Sequence, residues 1–159
     1  MAKLNFGDVH YVRGMAYSAD LFAATVYTDV VSMKNHHQVA FVINQELGST
    51  GSSTITVQAC DDVTPSNRSA IPFHVQKYLA GSDIPAAVVS VAATGFATTA
   101  EATAAIYVII ADAAELAASG YGYVQMKAVE VVNDPVAGSV MIELMQPRYN
   151  DEITSTVIA

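Results

Sequence analysis

The four histidines are the residues from which a metal site would be built. His36 and His37 are adjacent, so on a strand their rings point to opposite faces and cannot share one ion, although a turn would relax that limit. His10 and His74 are distant in sequence, and the single cysteine offers no pair of thiolates. The spacing therefore predicts no metal site.

Carboxylates are the next groups with chemical potential. Asp61 and Asp62 could give oxygen ligands to calcium together with loop carbonyls, but such pairs more often hydrogen-bond a turn and stay solvated. A glycosidase would need two carboxylates ~5 to 9 Å apart. The sequence gives no reason to bring together any two of four glutamates, which are Glu101, Glu115, Glu130 and Glu143.

Nucleophilic catalysis would need a serine or cysteine, a histidine to accept its proton and a group to orient that histidine. The residue types are present, but no motif places them. The run of Ser and Gly at 49–53 lacks both the strand-to-helix elbow of a hydrolase and the lysine of a phosphate-binding loop, and it is interpreted as the tip of a hairpin. We therefore expect no enzymatic activity, no catalytic residue and no cofactor.

The tyrosines provide the main alternative function, which is carbohydrate binding. Aromatic faces combined with polar loop residues are what sugar recognition uses. The chain has no Trp, the strongest stacking residue. Core packing and subunit contacts explain the candidate tyrosines at least as well, namely Tyr107, Tyr121, Tyr123 and Tyr149.

Short segments with period-two alternation are the dominant pattern from Thr25 onward, and Gly, Pro, Asn, Asp and Ser punctuate them. In the clearest strand, 53–60, Ile55, Val57 and Ala59 point to one face. Val39, Phe41 and Ile43 do the same in an earlier strand, whose hairpin loop would be 48–52. Pro72 is typical of a strand that begins late or lies at an edge.

Two segments depart from simple alternation. The strands around Val88–Val91 and Ile106–Ile110 are apolar on nearly every position, which is typical of a sheet covered on both sides. Residues 112–119 predict a helix of about two turns, with Asp112 as N-cap, Glu115 completing a capping box and Gly120 as the stop.

The spacing of turns, roughly eight to twelve residues in much of the chain, is typical of a β-sandwich. We predict an all-β protein, an antiparallel β-sandwich with the jelly roll as one form of it, one short helix and extended terminal arms. Its organisation would be an N-terminal arm at 1–24, the sandwich at 25–147 and a C-terminal tail at 148–159. The arm either exchanges between subunits or adds a strand to the chain's own sheet.

Composition favours association with other proteins. Charged residues make up 14% of the 159 residues, against about 25% in an ordinary soluble domain. Few charges leave much neutral or apolar surface, which usually marks a protein contact, although a monomer coated with small side chains is the alternative. The terminal segments supply the candidate assembly contacts: Leu4, Phe6, Tyr11, Met15, Leu21, Phe22, Tyr149, Ile153 and Val157.

Charge and hydropathy exclude two kinds of partner. A formal net charge of −8 repels nucleic-acid phosphates, so direct binding to DNA or RNA is not expected. The most apolar region, 85–118, is interrupted by Gly95, Glu101 and Asp112 and lacks the ~20 uninterrupted apolar residues of a spanning helix. No membrane partner is expected either.

Five segments resemble a group of small tailed-phage virion proteins of the capsid decoration, or cement, type. They are TDVVSMKN at 28–35, TITVQACDD at 54–62, AIPF at 70–73, SGYGYV at 119–124 and KAVE at 127–130. The resemblance covers about Thr25 to Tyr149 and consists of strand and turn patterns. It implies a β-sandwich on the outer surface of the capsid, made in the host cytoplasm, which forms a homo-oligomer, typically a trimer, and braces the major capsid protein. The alternative is a carbohydrate-binding or receptor-binding module of a phage tail or fibre.

Overall fold

The computed structural model describes residues 8–47, 50–98 and 104–148. Within these ranges the chain is built almost entirely of antiparallel strands in two packed sheets, with one short helix. The predicted all-β sandwich is confirmed. Within the described part, no helix has the length and apolar character needed to cross a membrane.

Sheet A contains six strands in the order β1, β12, β4, β10, β7 and β8. Its central strands are long and apolar, and Val, Ile and Phe favour the pleated backbone because branched and aromatic side chains pack well on it. Their bounds are β1 Val9–Ser18, β4 His36–Gln45, β7 Phe73–Leu79, β8 Val89–Val91, β10 Ala105–Asp112 and β12 Gly138–Pro147.

Sheet B is smaller and centres on the pair β5 and β11, with β2 and β6 outside them. Two very short strands add to it, since β3 pairs with β11 and β9 pairs with β5. The bounds are β2 Thr25–Tyr27, β3 Val31–Ser32, β5 Ser52–Cys60, β6 Arg68–Ile71, β9 Phe96–Ala97 and β11 Tyr123–Val132.

The core lies between the two sheets, and alternation correctly predicts which side chains enter it. Phe41 and Ile43 of β4 and Ile55 and Val57 of β5 have no exposed surface, and Met126 of β11 is likewise fully buried. Truncating such a side chain to alanine costs about 2 to 5 kcal/mol because a cavity is left behind. The inner faces of both sheets therefore hold the sandwich together.

Several connections cross between the sheets where the sequence predicts a hairpin. β4 belongs to sheet A and β5 to sheet B, so the prediction of a hairpin at 48–52 is wrong. Pro72 stands alone between β6 of sheet B and β7 of sheet A. A proline suits this corner because it has no amide hydrogen to contribute to either ladder.

The helix α1, Ala113–Ser119, follows β10 as predicted and ends at Gly120, which has the left-handed φ of 78°. The prediction of a capping box is wrong, because Asp112 makes no side-chain cap bond. Its Oδ1 instead accepts a hydrogen bond of 2.8 Å from Gln38 Nε2 on the neighbouring β4. Leu116 fixes the helix to the core, with only 1% of its surface exposed.

The N-terminal segment enters sheet A. Strand β1 pairs with β12 from Val9 to Ser18, with irregular register around Met15. The boundary at residue 25 therefore does not separate an arm from the sandwich for these residues, which form a strand in the chain's own sheet. Backbone hydrogen bonding drives this, since an edge of β12 left open would expose a row of unpaired amides and carbonyls.

Candidate assembly surface

The side of sheet A that faces away from the core carries mostly apolar side chains. We call this surface the outer face and define it by residues of β1, β4, β10 and β12 on the side opposite to the core-facing set; of these, Ala40 is itself buried. The residues are Tyr11, Arg13, Ala40, Val42, Ile106, Val108, Ile110, Met141, Glu143 and Met145. Eight of these ten side chains carry no charge. A contiguous surface of this kind usually marks a site of contact with another protein.

Strand register brings the apolar members together. Met141 of β12 pairs with Val42 of β4, and Val42 in turn pairs with Val108 of β10. In the next row Ala40 lies between Glu143 and Ile110. Directly opposed residues of antiparallel strands have Cβ atoms ~5 Å apart, so these side chains form one continuous patch.

Solvent exposure distinguishes this face from the core. Ile106 is 40% exposed and Met141 41% exposed, while Tyr11 at the margin is 59% exposed. The expectation that β8 and β10 are covered on both sides is therefore wrong, and Val89 of β8 is 54% exposed. Both faces of β10 are apolar, but only the inner one is packed within the chain.

Polar groups border the outer face. On β7, the Tyr78 hydroxyl donates a hydrogen bond of 3.0 Å to Gln76 Oε1, and His74 Nδ1 lies 3.1 Å from Ser90 Oγ. At the other end Gln38 bonds to Asp112 and accepts a hydrogen bond from Gln146. An apolar centre with a polar margin is the usual organisation of a protein–protein interface.

A shallow depression of about 510 Å³ lies at the β1 side of this face. Its lining includes Tyr11, Arg13, Met15, Tyr17 and Met141. Tyr17 is 70% exposed and Tyr11 59%, so aromatic surface in this lining is open to solvent.

The predicted assembly contacts separate into three groups. Tyr11 lies on the outer face and Met15 is partly buried against the core. Leu21 and Phe22 are 1% and 3% exposed, so the prediction that they are surface contacts is not compatible with this fold, which uses them as core residues. The remaining five lie outside the described residues: Leu4, Phe6, Tyr149, Ile153 and Val157.

Sequence reasoning missed the centre of the outer face. Val108 and Ile110 were within reach of prediction, because the strand at 106–110 is apolar on nearly every position, a pattern typical of a sheet covered on both sides. Val42 and Met141 share their faces with the polar Asn44 and Ser139, so no such pattern marks them. Cover by another molecule would produce the same pattern, and this is the signal that could have found the surface.

The outer side of sheet B has a different chemistry. Thr54, Thr56 and Gln58 point outward from β5, and the exposed Tyr27 ring has two cations beside it. Arg68 Cζ lies 5.3 Å and Lys127 Nζ 5.9 Å from its centroid. The two large surfaces of the sandwich are therefore unlike, one apolar and the other polar and cationic.

Two of the candidate tyrosines converge on a groove at the end of α1. Tyr121 and Tyr123 line a volume of about 440 Å³ together with Lys34, Leu116 and Arg148. Tyr107 is 3% exposed and packs in the core, so it is not part of a platform there. Tyr149 lies outside the described residues.

The groups considered for metal binding are dispersed. His36 is buried and His37 exposed at the start of β4, in keeping with alternation. Among the described residues no three of His, Cys, Asp and Glu are grouped to hold a metal ion. Asp61 accepts hydrogen bonds from the Asn67 side chain and backbone and from Ser66 Oγ, and these bonds lower the pKa of Asp61 to about 2.

Comparison of the chain with protein-family models, with curated proteins and with solved structures finds no match.

Proposed function

We propose that this chain is a non-enzymatic structural protein that assembles with copies of itself and with a phage head shell, as a capsid decoration protein. The observation that carries the proposal is the outer face of sheet A, where Val42, Val108 and Met141 form an apolar patch on a fully folded sandwich. A protein with so few charged residues gains by removing such a patch from water, at about 25 cal/mol per Å² of apolar surface.

Support for the capsid as the larger particle comes from the five sequence segments that resemble decoration proteins. The net charge of −8 agrees with a position on the outside of a shell, away from packaged nucleic acid. A protein that binds only the assembled shell would stabilise it by mass action. Several contacts made by one homo-oligomer, with a trimer favoured, would strengthen that attachment because later contacts become intramolecular.

Native mass measurement of the purified protein, followed by binding to capsids stripped of accessory proteins, tests the proposal. We expect a defined homo-oligomer that sediments with the stripped capsids and raises the temperature at which they disassemble. A stable monomer that does not bind capsids would overturn it.

A second candidate function is carbohydrate or receptor binding at the groove that holds Tyr121 and Tyr123. Lys34 and Arg148 beside these rings would favour sugars that carry a carboxylate. Binding on a glycan array that is lost in Tyr121→Ala and Tyr123→Ala, and kept in Tyr27→Ala, would support this function. Tyr27 is a suitable control because it is 43% exposed and lies on β2, outside the residues that line the groove.

A further inference from the structure

The outer face of sheet A is nearly balanced in charge, although the chain as a whole is strongly acidic. Arg13 and Glu143 are its two charged members, and neither makes an ion pair with another described residue. Asp112, at the border of the face, adds one negative charge. The other carboxylates in the described ranges lie in loops, in α1, on β11 or at the end of β10. Two copies, each with a net charge of −8, therefore repel each other less through this face than through other parts of the surface.

The face is also large enough to hold a partner. Its four strands, about 4.8 Å apart and about 30 Å long, give the outer face an area of roughly 600 Å². Two copies that meet over nearly all of it would bury about the ~1,000 Å² in total that a specific interface needs. The apolar rows lie at the middle of this area and the polar groups of β7 and β8 at its margin, as in interfaces between proteins.

Exposed aromatic side chains are available for a contact between copies. Tyr17 and Tyr11 both line the depression at the β1 side of the face and are 70% and 59% exposed. In a two-fold contact between identical subunits the same patch serves both copies. The charge and the area of the face therefore point to a second copy as its occupant.

We propose that a second copy of this chain covers the outer face of sheet A, with Val108, Val42 and Met141 at the centre of the contact. The inference rests on the self-association in the proposed function and adds the surface that performs it. It does not depend on the capsid.

Sedimentation velocity over a wide range of protein concentration tests the contact. The variant Val108→Asp places a carboxylate at the centre of the outer face, and we expect it to weaken self-association by at least about 100-fold, the effect of losing a central interface residue. The matched control is Ile84→Asp, because Ile84 is 77% exposed in the loop between β7 and β8. The control should associate like the unaltered protein.

A second variant separates loss of the contact from misfolding of Val108→Asp. Met141→Glu changes an exposed side chain on β12 and should also dissociate the oligomer. The buried Cys60 thiol reports on the fold of every variant, because it stays unreactive only while β5 remains packed. If both outer-face variants fold and associate normally, the contact is elsewhere and this inference fails while the proposed self-association stands.

Two further results would also be decisive. An unaltered protein that stays monomeric at every concentration would overturn both this inference and the self-association in the proposed function. If Ile84→Asp dissociates the oligomer and Val108→Asp does not, the contact lies at the loop between β7 and β8. That result would overturn this inference but not the proposed self-association.

Discussion

The imidazole rings of His10 and His36 lie edge to face, with centroids 6.4 Å apart and ring planes at 86°. The Nδ1 atoms of both rings are buried and have no hydrogen-bond partner among the described residues. Burial, and secondly the nearby His10, lowers the pKa of His36. The fold therefore favours the neutral form of His36, because charging it would place a cation in a poorly solvated site.

Acid should destabilise the protein through His36. The unfolded chain protonates His36 near pH 6.5, whereas the folded chain does so only at lower pH, so the unfolded state binds more protons between these values. The free energy of unfolding, measured with urea, should be level above about pH 6.5 and fall as the pH decreases toward the lowered pKa. His36→Phe should flatten this slope, and His37→Gln, a change of the exposed neighbour, should not. Equal slopes in all three proteins would contradict the prediction.

The thiol of Cys60 should be inert in the folded protein. Burial is the main cause that raises its pKa to about 11; Arg68 acts in the opposite direction and Asp61 adds to the rise. At pH 8 we expect no reaction with an aromatic disulfide reagent in native buffer and complete reaction in urea, since the thiolate is the reactive form. Ala118→Cys in the Cys60→Ala background places a thiol on the exposed side of α1 and should react at once. Equal rates for native and unfolded protein would show that Cys60 is accessible.

Gly95 and Gly81 share a left-handed backbone but differ in the space around them. Their φ angles are 83° and 82°, yet a Cβ on Gly95 would lie 2.2 Å from the Ile55 carbonyl oxygen, while one on Gly81 would have nothing within 4 Å. Gly81→Ala should lower the free energy of unfolding by about 1 to 2 kcal/mol, because alanine disfavours the left-handed backbone conformation. Gly95→Ala should lower it by about 2 kcal/mol more, because β5 must also move to make room for the Cβ. Urea unfolding measures both, and equal costs would refute the close approach.

The buried Thr98 hydroxyl joins the segment after β9 to the start of β5. Thr98 Oγ1 accepts a hydrogen bond of 2.9 Å from the Ser53 amide, and both residues are 3% exposed. Thr98→Val should lower the free energy of unfolding by about 1 to 3 kcal/mol, because it leaves that buried amide without a partner. Thr56→Val, on the half-exposed side of β5, serves as the control and should change it by less than about 0.5 kcal/mol. A similar loss in both variants would contradict this reason.

Alternation in the sequence predicts most of the long strands from β4 onward and their buried sides, whereas β1, which lacks a sustained period, was predicted as an arm. Val39, Phe41 and Ile43 are buried as a set because successive side chains of a strand point to opposite faces. The end of the helix at Gly120 followed from the sequence for a similarly local reason, whereas the predicted cap at Asp112 is not formed. These features depend on contacts between near neighbours, which a sequence displays directly.

The pairing of strands could not be predicted in the same way. Nothing local distinguishes a turn within one sheet from a crossover, so β4 and β5 were expected to form a hairpin although they belong to different sheets. For the same reason the outer face could not be predicted. Val108 lies on an apolar strand, and the sequence does not show whether its own chain or another molecule covers that strand. Leu21 was assigned to the surface since its segment has no period, whereas its place in the core depends on β12 and the loop before it.

The position of β12 has a consequence for how the molecule is made. This strand lies between β1 and β4, so the ribosome releases it after both of its neighbours in sheet A. Until β12 has left the ribosome, the facing edges of β1 and β4 in the nascent chain have unpaired amides and carbonyls, and sheet A is incomplete. Where many chains are translated side by side, the matching strand of another chain competes for these edges, and slow translation near residue 138 would increase exchange of strands between molecules.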